Sequence, residues 1–155
     1  MKAFLDTNIL LDLLLERDGY EASARILQLR DEGKVNLCVS ILTMVNVAYV
    51  YKKSVGQNVV IPNLKCLSDI VTVLPMNNEM LQQALYLEGK DFEDILQYTC
   101  AIQNQCDAVI TRDVKDFRIH HGLKNIAESI PVYSPDSFLN LFTTGTADRF
   151  TSFRK

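Results

Sequence analysis

The run Ala108-Val109-Ile110-Thr111 is short, continuous and almost wholly apolar, without the polar-apolar alternation of a strand that keeps one face in water. A strand written this way must be covered on both faces. Phe4-Leu5, Val35 to Val39, Val71 to Leu74 and Ile130 to Tyr133 are further short apolar segments, and helical spacing fills the chain between them. Ile9, Leu10, Leu13 and Leu14 mark one helix; beyond Gly19, a second runs through Ala22, Ile26 and Leu29 to Gly33. Ser40 is placed to cap a helix running to Lys53. Gln57 to Asn63, with Gly56 before it and Pro62 within it, reads as a loop, followed by a helix near Leu64 to Ile70. Helices near Met80 to Leu87 and from Phe92 to Gln105 precede the strand at Ala108, and Ser134-Pro135-Asp136 opens a last helix with proline in its favoured first turn. Strands alternating with helices give the class α/β: a three-layer α/β/α arrangement around a central, mainly parallel sheet.

A chain of 155 residues, 48% hydrophobic and 23% charged, can bury one sizeable core. The expectation is one domain over residues 1–142 and a polar tail over 143–155. Sixteen basic against nineteen acidic side chains leave a formal charge of −3, which argues against tight nonspecific coating of nucleic acid, so any contact with it must be local. Cys38, Cys66, Cys100 and Cys106 form no CxxC pair and no zinc-like grouping, which predicts reduced, mostly buried thiols. No apolar stretch reaches the roughly 20 residues of a membrane span, and Asp6 interrupts the amino terminus before a leader could form. A cytoplasmic protein without membrane contact is expected.

In doubly wound sheets, functional groups gather outside the carboxyl ends of the strands. Asp6 follows the first strand, and Asp113 and Asp116 follow the strand ending at Thr111. Asp91, Glu93 and Asp94 stand at the start of the helix before it. Acids in a first turn also favour the helix dipole and cap free amides, so this segment has an ordinary structural explanation. Asp6 is harder to explain away, because an acid between Leu5 and Ile9-Leu10-Leu11 needs a polar cleft. Carboxylates without nearby histidine or thiolate suit a hard cation, Mg²⁺ or Mn²⁺, and such ions suit phosphodiester chemistry.

Leu5-Asp6-Thr7-Asn8-Ile9-Leu10, Asp91-Phe92-Glu93-Asp94 and Ile110-Thr111-Arg112-Asp113-Val114-Lys115-Asp116-Phe117 together resemble the three ordered motifs of PIN domains. The similarity covers the chain from Met1 to about Leu141. The resemblance implies a metal-dependent ribonuclease site of three or four acids, in a family whose bacterial members include the toxin halves of toxin-antitoxin pairs. By position Asp6 is the first acid, Asp94 the third, and Asp113 or Asp116 the fourth; these four are the candidate catalytic and metal-binding residues. Thr7, Asn8, Asp91 and Thr111 would support them. RNA is the implied substrate and an antitoxin protein the implied partner.

One position departs from the pattern. Such domains usually carry a glutamate in the helix after Ser40, and here that position is Asn46. Asn46 is therefore expected beside the acids, leaving a site of reduced charge that Asn46→Glu would restore. A noncatalytic module binding RNA or protein is the alternative function. An aspartyl phosphohydrolase is a further one, although Asn8 stands where that chemistry wants a second acid. Arg112 and Lys115, with Arg118 and Lys124, are candidates for contacting substrate phosphates. His120-His121 are not expected to act as a pair, since adjacent side chains diverge. Tyr49 and Tyr51 are candidates for a homodimer surface, although helical aromatics are more commonly core.

Overall fold

The five apolar runs become five parallel strands in a computed structural model, which describes residues 1–87, 91–117 and 129–143. They are β1 (Lys2–Leu5), β2 (Asn36–Ser40), β3 (Thr72–Leu74), β4 (Ala108–Ile110) and β5 (Val132–Tyr133), in the sheet order β3-β2-β1-β4-β5. The chain steps outward from β1 to β2 to β3, then crosses back to lay β4 against the other side of β1. The order reverses between β1 and β4, so a crevice must open at their carboxyl ends.

The helices are α1 (Thr7–Leu14), α2 (Tyr20–Asp31), α3 (Ile41–Val55), α4 (Gln57–Ile70), α5 (Asn78–Leu85), α6 (Phe92–Gln103) and α7 (Pro135–Thr143). The strand period of two sorts the core into two layers. Ala3, Leu5, Leu37, Val39 and Ile110 pack with α1, α2, α3, α4 and α7. Phe4, Cys38, Leu74 and Val109 pack on the opposite face with Met80 of α5 and Tyr98 and Ala101 of α6. Phe4, Leu5, Leu37 and Ile110 are wholly buried, each worth about 1.5–3 kcal/mol of transfer free energy. This is the expected three-layer α/β/α fold.

Ser40 caps α3 as expected: its Oγ accepts from the Thr43 amide at 2.9 Å, and the Thr43 hydroxyl accepts in return from the Ser40 amide. The loop expected over Gln57 to Asn63 is instead the first half of α4, with Pro62 inside it. Val60, Leu64 and Leu67 lie on one helical face, with Val60 and Leu67 in the core, and this burial outweighs the one backbone bond the proline removes.

Cys38, Cys100 and Cys106 are buried thiols and Cys66 an exposed one, matching the expectation for cysteine. Tyr51 is buried core, whereas Tyr49 is 63% exposed. Among the described residues no helix is long and apolar enough to cross a membrane. Arg118, His120, His121, Lys124 and the tail from 144 onward lie outside the described residues.

Candidate active site

The crevice at the β1/β4 switch point is a cleft of about 510 Å³, and the acids singled out from the sequence surround it. Asp6, Asp91, Glu93, Asp94, Asp113 and Asp116 line it together with Thr7, Asn8, Asn46 and Tyr49, and no basic side chain is among its described lining residues. The segments just past β1 and β4 and the start of α6 contribute the carboxylates, while α1 and the middle of α3 supply neutral lining.

Asp6 sits one residue past β1, where its amide still bonds the Ile110 carbonyl of β4 at 3.0 Å. It is only 4% exposed. Burial raises its pKa, and the Thr111 hydroxyl, the Thr7 amide and the Asn8 side chain oppose that rise by bonding the carboxylate. Thr111 is wholly buried and does two things at once: its hydroxyl donates to Asp6 Oδ2 at 2.9 Å and accepts from the Asp113 amide at 3.0 Å. The Thr111 amide itself bonds the Tyr133 carbonyl at 3.0 Å, so the sheet fixes this hydroxyl. Asn8 Nδ2 reaches between Asp6 Oδ2 at 3.4 Å and Asp113 Oδ2 at 3.5 Å, long contacts that tie the two acids loosely.

Asp91 is the N-cap of α6, accepting from the Glu93 amide at 2.7 Å, and it also lines the cleft; its capping and site roles coexist. Asp94, one residue on from Glu93, has its pKa pushed up to about 7, first by burial and then by repulsion from Asp6, Asp91, Glu93 and Asp116. The Glu93 carboxyl is raised as well, by burial and then by Asp91 and Asp6. Like charges confined around one cleft hold protons in this way unless a cation neutralises them.

Asn46 lines the cleft, and its Nδ2 donates a short hydrogen bond to Glu93 Oε1. Gln97 Nε2 donates to the same oxygen at 2.8 Å. Glu93 was named from the sequence among the acids opening α6 but given no role of its own, and Gln97 was not singled out. Gln97 carried a signal, an amide within the largely apolar stretch Ile95 to Ala101, and it is wholly buried.

Arg112, a candidate for contacting substrate phosphate, is engaged within the protein. Its guanidinium bonds Asp12 Oδ1 at 2.8 Å, and Asp12 is wholly buried on α1, so an uncompensated carboxylate claims the cation. Neither Arg112 nor Lys115 lines the cleft. The pair straps the loop after β4, which carries Asp113, to α1.

The donors facing the cleft are hard carboxylate oxygens with two neutral amides, Asn8 and Asn46, beside them, a set that fits Mg²⁺ or Mn²⁺ and lacks the softer ligands zinc prefers. Among the described residues, no three His, Cys, Asp or Glu side chains are already closed into one ligand group. The acids stand around the cleft as mutually repelling neighbours.

A parallel α/β sheet with a carboxylate cleft at its switch point defines the class. The chain belongs to the PIN domain family, whose sequence model matches residues 2–115. It is 27% identical over 118 residues to Ribonuclease VapC1 of Aquifex aeolicus (strain VF5), spanning 72% of this chain and 81% of that protein. Its fold is similar to VapBC-1 from nontypeable Haemophilus influenzae, with a TM-score of 0.60 and 19% identity over 88% of this chain and 99% of that one. It is also similar to DNA-bound VapBC from Salmonella typhimurium, with a TM-score of 0.61 and 16% identity over 87% of this chain and 98% of that one.

Proposed function

We propose that this chain is an endoribonuclease of the toxin type, hydrolysing RNA phosphodiester bonds with Mg²⁺ or Mn²⁺ held by Asp6, Asp94 and one or both of Asp113 and Asp116. The observation that carries the reading is the cleft itself: six carboxylates and no basic side chain among the described lining residues, in a PIN domain similar to a ribonuclease. A polyanionic substrate cannot approach such a surface unless its charge is offset.

The bound ion would supply Lewis acidity toward the phosphodiester and acidify the attacking water. The chain's own residues supply the geometry. Thr111 orients Asp6 and fixes the backbone of Asp113 with one hydroxyl, and Asn8 spans the same two acids. Asp91 holds the first turn of α6 and with it Asp94. The Asp12–Arg112 pair keeps the Asp113 loop seated on α1.

An antitoxin-type protein is the proposed partner. On α3, Ile41, Val45 and Tyr49 recur at four-residue spacing and are 51%, 57% and 63% exposed, with Tyr49 reaching the cleft. A partner laid along this stripe would cover apolar surface and close the entrance together. A second copy of the chain would use the same stripe.

A mixed pool of end-labelled RNA tests the activity. After treatment with chelator the protein should leave the pool intact, Mg²⁺ or Mn²⁺ should restore internal cleavage, and folded Asp6→Asn should stay inactive. Cleavage that persists in chelator, or in Asp6→Asn, would refute the assignment. Metal binding by a folded protein that never cuts RNA would instead support the noncatalytic module, the reading Asn46 motivates.

A further inference from the structure

The position on α3 where an acid was expected presents an amide, and the geometry shows what that amide does. Asn46 Nδ2 and Gln97 Nε2 both donate to Glu93 Oε1. Among the described residues, no hydrogen bond falls on Glu93 Oε2, and Glu93 lines the cleft.

The orientation of Gln97 follows from its own partners. Thr43 Oγ1 accepts from the Ser40 amide and lies 2.9 Å from Ser40 Oγ, and it donates its single hydroxyl proton to Gln97 Oε1 at 3.1 Å. Gln97 therefore turns Nε2 toward residue 93. Ser40, Thr43 and Gln97 are all wholly buried. The capping box of α3 thus runs through a buried chain to Glu93 and requires an acceptor there. A glutamate serving only the dipole of α6 would need no such chain.

We propose that Glu93 supplies, from α6, the cation-binding carboxylate that position 46 lacks, and that Asn46 and Gln97 are positioning residues that aim it into the cleft. The inference rests on the metal-dependent reading above. It also explains the amide at position 46: a carboxylate there would remove a donor from Glu93 and set a like charge against it. Asn46→Glu alone then weakens the site, contrary to the expectation drawn from the family pattern, whereas exchanging the two residue types across the cleft preserves it.

Calorimetric titration of the metal-free full chain with Mn²⁺, beside metal-free melting, tests this. Glu93→Gln should bind Mn²⁺ at least roughly tenfold more weakly, the scale of losing an ordered group at a metal site. Asn46→Glu should bind no more tightly than wild type. The double variant Asn46→Glu/Glu93→Gln should recover affinity to within about threefold of wild type, a rescue that loss of a merely structural contact would not produce. Unchanged affinity in Glu93→Gln, or tighter binding in Asn46→Glu, would overturn the proposal. Should Glu93→Gln fail to fold, the double variant decides, and weak binding by it overturns the proposal. Asp94→Asn is the control for the underlying reading: if its affinity also equals wild type, the metal site itself is wrong and the role of Glu93 falls with it.

Discussion

Thr111→Val removes one hydroxyl and keeps the shape of a wholly buried side chain, so its effect isolates the two hydrogen bonds that join β1 to the loop after β4. The Asp6 carboxylate loses its 2.9 Å donor, an interaction with a charged group worth about 1.5–3 kcal/mol. The Asp113 amide loses its acceptor, worth about 1 kcal/mol where the group is only part-buried. The sum is a destabilisation of roughly 2–4 kcal/mol near neutral pH without metal. For a domain of this size it corresponds to a fall in Tm of about 4–16 °C. The loss should shrink as pH falls through the raised Asp6 pKa, because a protonated Asp6 no longer needs a donor to compensate burial of its charge. Thr111→Ser should keep most of the stability. The assay is thermal melting in chelator at pH 5 and pH 8, for wild type and both variants. A Thr111→Val protein within about 0.5 kcal/mol of wild type at pH 8 would show that the Thr111 hydroxyl does not hold Asp6 and Asp113, since such a value is that of an ordinary surface change.

Without metal, stability should fall as pH rises from about 5 to 7, because folded Asp94, with its pKa near 7, keeps a proton that the unfolded chain gives up near its ordinary value. Discounted for its half-buried position, the effect is about 1–2 kcal/mol; Asp94→Asn should flatten this slope, and an unchanged slope in melts across that range would count against it. Arg112→Met should cost about 2–3 kcal/mol in denaturant unfolding, below the figure for a fully buried pair because Arg112 is 43% exposed. An unaltered midpoint with weakened RNA binding would return Arg112 to the substrate. Gly19→Ala places a methyl 2.0 Å from Oδ2 of Asp12, whose other oxygen, Oδ1, bonds Arg112, and should destabilise by about 1–3 kcal/mol; a neutral result in the same assay would show that the Asp12–Arg112 strap is loose.

The sheet was legible because burial on both faces leaves its mark residue by residue, as in Ala108-Val109-Ile110, and Asp6, Asp94, Asp113 and Asp116 were legible because strand ends and helix starts are local features. The first half of α4 was not. Pro62 and Gly56 are strong local breakers, and only tertiary burial of Val60 and Leu67 shows that they are overruled. The partners of Arg112 and Asn46 were hidden for a related reason: Asp12 lies 100 residues from Arg112, and Glu93 lies 47 from Asn46, so neither pairing has a sequence period. Asp12 within Leu10-Leu11-Asp12-Leu13-Leu14 was the available hint, an acid on an apolar helix that had to find a cation.

Whether the carboxylate cleft cuts RNA through a divalent cation is decided by the rate of internal RNA cleavage in Mn²⁺ by wild type and Asp94→Asn, purified identically. Cleavage by wild type should vanish in chelator, with Asp94→Asn at background while its metal-free fold is at least as stable. Equal cleavage by the two proteins would contradict that role for the cleft.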